Sequence, residues 1–283
     1  MKKIIASLIL FLCSYSYASQ TIPIVWAFSP ASNQANVLRL IIDNANKSQS
    51  KYTFVFESKP GAGGSIAVNH VINSTTPTLL MMSTSIFARP YYYPEQSYDV
   101  DKLQPIVITA TNSPLVILST QFFSIDELTK KPYAKIGIVQ GSITESVARA
   151  IQKNSMILVP YQGSINATND LMGGHIDASV EFIKDAMPWV DSNKAQILGI
   201  TGSNSINQYK ILKNTENIVG NYYVVTSKNI NDFIIRELHD IITKAMLQQN
   251  VVDLWKGDYA TVIKRSYDET VEFWNKQKMY WKN

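Results

Sequence analysis

Residues 59–65 read Lys59-Pro60-Gly61-Ala62-Gly63-Gly64-Ser65. An apolar, strand-like run at 52–56 precedes them, and Ile66, Val68, Val71 and Ile72 follow at helical spacing. Glycines at 61, 63 and 64 let the backbone take positive φ and approach a neighbour closely. A helix opening from such a turn begins with amides that have no partner inside the helix. Strand, glycine turn and helix in this order can hold an anion on main-chain groups alone. The same sequence can equally be a tight turn that seats a helix on a sheet. Nucleotide-binding versions fit poorly. A dinucleotide fingerprint begun at Gly61 needs glycine where Ile66 stands, and a phosphate loop needs a lysine that Gly64-Ser65-Ile66 does not supply.

The unit recurs along the chain. Residues 22–28 form a first strand, and Ser29-Pro30-Ala31-Ser32-Asn33 a turn. Ser32 or Asn33 can cap a helix whose apolar face is Val37, Leu38, Ile41, Ile42 and Ala45. A strand at 78–82 ends in Ser83-Thr84-Ser85, where hydroxyls and amides can donate to a ligand or cap a short helix. Further strands are expected at 104–110, 114–119, 135–139, 157–159, 176–182, 196–201 and 221–226. The strand at 176–182 contains Asp177 and Glu181. Gly141-Ser142 is a turn, and Ser142 with Glu145 has capping-box spacing. Ser164 is expected to cap a helix through Leu171 that ends at Gly173-Gly174. A long amphipathic helix runs from 233 to 245, and a last one starts at Ser266 with Glu269 completing a second capping box. Strands alternating with helices argue an α/β chain with largely parallel sheets. Ligands in such sheets sit beyond the carboxyl ends of the strands.

The amino terminus reads as a secretory leader: Met1-Lys2-Lys3, an apolar run at 4–12 broken by Ser7, and Ser16-Tyr17-Ala18 before the cut. That run is too short to stay as a membrane anchor. Cys13 is the one cysteine among 283 residues, so the mature chain, cut after Ala18, carries neither a disulfide nor a cysteine metal site. Bulky Leu12 before it argues against lipidation. An exported chain without disulfides suits a bacterial periplasm. The 26 Lys and Arg against 22 Asp and Glu form no dense basic run, so nucleic-acid binding has no electrostatic support. His70, His175 and His239 make no His-Glu-x-x-His pattern, so no metal site is expected. Neither Gln162-Gly163-Ser164-Ile165-Asn166 nor Gly63-Gly64-Ser65-Ile66-Ala67 completes a Gly-x-Ser-x-Gly elbow. No catalytic residue, cofactor or enzyme activity is therefore expected; a secreted hydrolase is the remote alternative.

Three stretches occur together and in order: Pro60-Gly61-Ala62-Gly63-Gly64, then Val159-Pro160-Tyr161-Gln162-Gly163-Ser164, then Leu171-Met172-Gly173-Gly174-His175-Ile176-Asp177. With them the mature chain resembles the periplasmic solute-binding proteins of the tripartite tricarboxylate transporter family, also called Bug proteins. The resemblance implies a two-lobe, type II periplasmic-binding-protein fold of the Venus-flytrap kind. Lobe 1 would comprise 19–112 plus 220–283 and lobe 2 would comprise 113–219. Two crossing strands, 115–119 and 221–226, would form the hinge. It further implies capture of a small carboxylate in the cleft and delivery to the membrane subunits of a tripartite importer. A receptor that presents its ligand to a membrane sensor is the alternative. The ligand contacts implied are Phe28, Ser29, Ala31, Ser32, Asn33, Asn36, Gly64, Ser83, Thr84, Ser142, Gln162, Gly163 and Asp177. Ser32, Asn33 and Asn36 depart from the family's first-lobe loop, which carries two glycines and an acid at these places. Helix amino ends from both lobes would aim at the anion, and Arg39 would brace its own helix.

Overall fold

Alternation along the first strand, β1 (Gln20–Trp26), sets the layering of the first sheet. Ile22, Ile24 and Trp26 enter one apolar cluster, while Val25 and Ala27 enter the cluster on the opposite face. A computed structural model of the chain describes residues 19–282 apart from 154, 204, 205 and 207. The leader expected at 1–18, with Cys13, lies outside the described residues. No helix among them is long and apolar enough to cross a membrane.

In chain order the elements are β1, α1 (Asn33–Ser48), β2 (Tyr52–Ser58), α2 (Ser65–Ile72), β3 (Leu79–Ser83), α3 (Ser85–Tyr92), β4 (Leu103–Ser113) and β5 (Leu115–Ser119). Then come α4 (Ile125–Lys130), β6 (Lys135–Val139), α5 (Ile143–Ile151), β7 (Ile157–Tyr161), α6 (Ser164–Met172), β8 (Ala178–Phe182), α7 (Ile183–Asp191) and β9 (Gln196–Ile200). The chain closes with β10 (Gly220–Ser227), α8 (Asp232–Met246), α9 (Gln249–Gly257) and α10 (Tyr267–Tyr280).

Two five-stranded sheets result, ordered β2-β1-β3-β10-β4 and β7-β6-β8-β5-β9. Their plans match. In each, parallel strands lie on one side, and one strand is inserted antiparallel to its neighbours: β10 between β3 and β4, and β5 between β8 and β9. Each inserted strand is the first to arrive after the chain changes sheet. The outward change occurs at Pro114, between β4 and β5, and the return enters β10 at Gly220. Residues 115–119 and 221–226 thus begin at the crossings, while their bodies belong to single sheets. Helices α1, α8 and α9 cover one face of the first sheet, and α2, α3 and α10 cover the other. In the second sheet α4 and α5 face α6 and α7 across the strands. Each sheet with its helices is a lobe with its own core.

Local differences from the sequence reading have physical causes. β4 runs unbroken through 111–113, because Thr111 pairs with Thr261 and Ser113 with Gly220. Helix α6 is capped by Gly163, with Ser164 as its first residue. Helix α7 was not expected; its Pro188 lies inside a nine-residue helix. The box at Ser266 and Glu269 forms as expected. At α5 the box is displaced: Ser142 Oγ accepts from Thr144 N, and the Glu145 carboxylate accepts from Gly141 N.

Candidate functional site

The carboxyl ends of β1, β3, β6, β7 and β8 converge on one gap between the lobes. A cavity of about 670 Å³ fills it, within the range of small-molecule sites. Its first-lobe wall is the loop after β1. Trp26 Nε1 donates to Ser29 O at 3.0 Å, Ser58 Oγ donates to Phe28 O at 3.0 Å, and Arg39 Nη1 donates to Pro30 O at 2.9 Å. Three bonds on three successive carbonyls hold this loop in one shape. Ser32 then caps α1 by accepting from Ala35 N at 3.2 Å.

The second-lobe wall is the start of α6 with β8 and α7 beneath it. Gly163 is extended, with φ near −168°, and a side chain there would meet nothing within 4 Å. The amides of Ser164 and Ile165 have no acceptor among the described residues, which leaves the positive end of α6 open to the cavity. Helix α5 differs. Ile143 N donates to Ser85 Oγ of lobe 1 at 3.1 Å, Thr144 N to Ser142 Oγ at 3.1 Å, and Glu145 N to Ser142 O at 3.1 Å. Of its first amides one reaches across the gap and two are taken by its own cap. The expectation that α5 aims free amides at a ligand is corrected in favour of α6.

The lobes touch around the cavity. Asn33 Nδ2 donates to Asp185 Oδ1 at 2.5 Å, and Tyr93 OH donates to Glu145 Oε1 at 2.9 Å. Glu145 is 1% exposed and also takes the Arg149 Nε–H at 2.8 Å. Gly63 packs so close to lobe 2 that a Cβ on it would lie 2.6 Å from Gln140 O.

Of the residues expected to touch ligand, Phe28, Ser29, Ala31, Ser32, Asn33, Ser83, Ser142, Gln162 and Gly163 line the cavity. Four do not. Asn36 is exposed and accepts from Arg39 Nη1 at 3.1 Å, bracing the Pro30 loop from behind. Gly64 has φ +94°, and a Cβ there would lie 2.5 Å from Met82 Cε, so its smallness serves packing onto β3. Of the glycine turn only Pro60 reaches the cavity. Buried Thr84 accepts from Asn221 N and donates to Val219 O, each at 2.9 Å, and so fastens the return crossing. Asp177 precedes β8, at the end away from the gap. It pairs with Lys131 at 2.6 Å and accepts from Lys135 N at 2.9 Å.

Ser85, offered by the sequence as a donor or a cap, also lines the wall, and the sequence reading gave no site role to Gln34, Glu181, Lys184, Asp185 and Tyr222, all in the cavity wall. Glu181 had a signal: a carboxylate inside the apolar strand Ala178-Ser179-Val180-Glu181-Phe182 cannot be buried cheaply. It is 1% exposed, and Thr168 Oγ1 donates to its Oε1 at 2.7 Å. Burial pushes its carboxyl up to about 8, against smaller downward pulls from the Thr168 and Ser179 hydroxyls. Burial also raises Asp185, with the Asn33 amide and Lys184 pulling it down. Asp258, next to Lys184 and wholly buried, is raised to about 7 by burial, and both its carboxylate oxygens lack hydrogen bonds. The lining contains neither histidine nor cysteine. No cluster of metal-ligand side chains occurs among the described residues.

Comparison with known proteins agrees with this geometry. The family model described as "Tripartite tricarboxylate transporter family receptor" matches residues 37–283. The chain is 23% identical to a UPF0065 protein from the tcbD-tcbE intergenic region of Pseudomonas sp. strain P51, covering 90% of this chain and 84% of that one. It is also 23% identical to Protein BugT of Bordetella pertussis, covering 91% and 86%. Among solved structures it superposes on R. palustris Rpa4515 with adipate at TM-score 0.81 and 16% identity, covering 94% and 96%. MatC from Rhodopseudomonas palustris with bound malate gives TM-score 0.79 at 18% identity, covering 93% and 97%. The periplasmic binding protein BugD gives 0.80 at 18%, covering 94% and 96%. These likenesses establish a two-lobe periplasmic-binding-protein fold, and the family match covers most of the chain. The protein belongs to the tripartite tricarboxylate transporter receptor family.

Proposed function

We propose that the protein is an exported, periplasmic solute-binding receptor. It captures a small carboxylate between its lobes and delivers it to the membrane subunits of a tripartite tricarboxylate-type importer. The observation that carries the reading is the open start of α6, whose unpartnered Ser164 and Ile165 amides face a cavity walled by hydroxyls of the opposite lobe. A helix start stabilises an anion by about 0.3–1 kcal/mol, and by up to about 2 kcal/mol where partly buried. The Ser29 and Ser32 hydroxyls, which accept from Ala31 N and Ala35 N, keep their protons as neutral donors at the cavity, so an anion can be held without an arginine clamp. Malate and adipate in structural neighbours support the carboxylate class. The leader read at 1–18 supports the compartment. Family membership favours delivery to a transporter over presentation to a sensor. Membership of a receptor family supports binding without turnover.

The test is a thermal-shift panel of di- and tricarboxylates, aromatic acids and acidic amino acids. A ligand at one hundred times its Kd stabilises by about 2.7 kcal/mol. At roughly 2–4 °C per kcal/mol for a chain of this size, that is a rise of about 5–10 °C. No rise with any carboxylate contradicts the reading.

A further inference from the structure

Asp258 is a wholly buried acid of the first lobe, placed beside the crossing between lobes. It caps the carboxyl end of α9. Ser113, the last residue of β4 before the crossing at Pro114, donates its hydroxyl to Asp258 O at 3.4 Å. Neither carboxylate oxygen of Asp258 receives a hydrogen bond. An ionised carboxylate is costly in such a place, so burial favours the neutral acid. Its carboxyl is accordingly raised to about 7.

Part of what buries it belongs to the other lobe. Lys184 of α7 reaches across and donates to Leu254 O at 3.5 Å. Its Nζ, Cε and Cδ lie 3.5, 3.6 and 3.9 Å from where a Cβ on Gly257 would sit. Stem and ammonium therefore cover the last turn of α9 next to Asp258. The charged and titratable groups facing Asp258 are Lys184 and Asp185 of α7 and Tyr222 of β10. Burial acts most strongly on its carboxyl, Lys184 draws it down, and Asp185 pushes it up. Tyr222 is raised well above its usual range by its own burial and stays neutral.

Separating the sheets withdraws α7, and with it Lys184 and Asp185. That side of Asp258 then meets water, where an aspartate ionises near its ordinary 3.8. We infer that Asp258, covered by Lys184 of the opposite lobe, couples closure of the lobes to uptake of one proton from solvent. Acid then favours the closed form whichever ligand the cleft takes. The closed form holds the proton more tightly than the open one. The open-to-closed ratio therefore climbs from about pH 4 and levels off near pH 7.

The mature chain lacks cysteine, so spin labels can be placed on it without interference. Ser48→Cys and Ser192→Cys put them at exposed positions where α1 and α7 end. Pulsed electron resonance then reads the distance between the lobes in the unliganded protein. The open-to-closed ratio is expected to rise about tenfold or more between pH 5 and pH 7.5, and to stay within about threefold in Asp258→Asn. If Asp258→Asn fails to fold by circular dichroism, Lys184→Met carries the test. Removing the cation that lowers Asp258 is expected to move the levelling-off upward by about one pH unit. Distances that ignore pH overturn the inference. So does a response that persists in folded Asp258→Asn, or a plateau that Lys184→Met leaves in place. No ligand is added, so none of these outcomes bears on carboxylate capture.

Discussion

Asn33 Nδ2 donates to Asp185 Oδ1 at 2.5 Å, joining the start of α1 in one lobe to α7 in the other at the cavity wall. The two residues are 152 positions apart in the chain. Their bond forms only when the gap between the sheets is narrow, so it reports closure. A hydrogen bond to a charged group contributes about 1.5–3 kcal/mol. Asn33→Ala is expected to weaken the binding of any carboxylate that shifts the melting temperature by about 10- to 100-fold, as read by calorimetry. The unliganded melting temperature should change little, because neither lobe's core contains Asn33.

The Tyr93–Glu145 contact is a second closure device on the opposite rim. Tyr93→Phe removes one donor and leaves Glu145 with Gly141 N and Arg149. It is expected to cost about 1 kcal/mol of closure and to raise the radius of gyration of the unliganded chain in small-angle scattering. Glu145→Ala removes the acceptor of all three donors. A drop of about 2–4 kcal/mol in urea unfolding is expected, since buried donors are then stranded.

Gly63 and Gly174 form a matched pair of substitutions. Both have positive φ, +60° and +72°, so alanine at either costs about 1–2 kcal/mol of backbone strain. A Cβ at 174 meets nothing within 4 Å, whereas one at 63 lies 2.6 Å from Gln140 O in the other lobe. Gly63→Ala is expected to reduce ligand affinity tenfold or more, and Gly174→Ala to leave it within threefold, at similar losses of melting temperature.

Glu181 and Asp258 make the unliganded protein acid-tolerant. Both bind a proton more tightly folded than unfolded, with carboxyls raised to about 8 and about 7 from ordinary values of 4.5 and 3.8. Their contribution is complete below about pH 4 and is lost as pH rises through 7 to 8. Asp101 and Glu237, lowered by their lysine partners, act in the opposite sense, but they sit in solvent-screened pairs that contribute little. The melting temperature without ligand is expected to fall between pH 5 and pH 8.5, and Glu181→Gln to flatten that fall. A flat profile in the unsubstituted chain contradicts the burial of these acids.

The fold was legible wherever apolar period and turn chemistry agreed. Residues 135–139 read as a strand and form one, and Ser266 with Glu269 reads as a capping box and makes one. The cavity's first-lobe wall was legible for the same reason, since Ser29 to Asn33 is a polar turn between a strand and a helix. The floor was not. Asp185 meets Asn33 only through tertiary approach, and α7 was hidden by a proline that reads as a breaker. Of the two uses the sequence left open for the glycine turn, anion cradle or close packing, close packing is the one observed. The neighbour approached is Met82 and the opposite lobe's Gln140.

Gly163→Trp tests the central claim most directly. Position 163 lines the cavity in an extended conformation with nothing within 4 Å of a Cβ, so a side chain can leave the backbone there without a clash and its bulk competes with ligand for the cavity. The carboxylate that raises the melting temperature of the unsubstituted protein by about 5–10 °C is expected to leave that of folded Gly163→Trp unchanged. An undiminished rise in the variant would place the ligand elsewhere and contradict capture between the lobes.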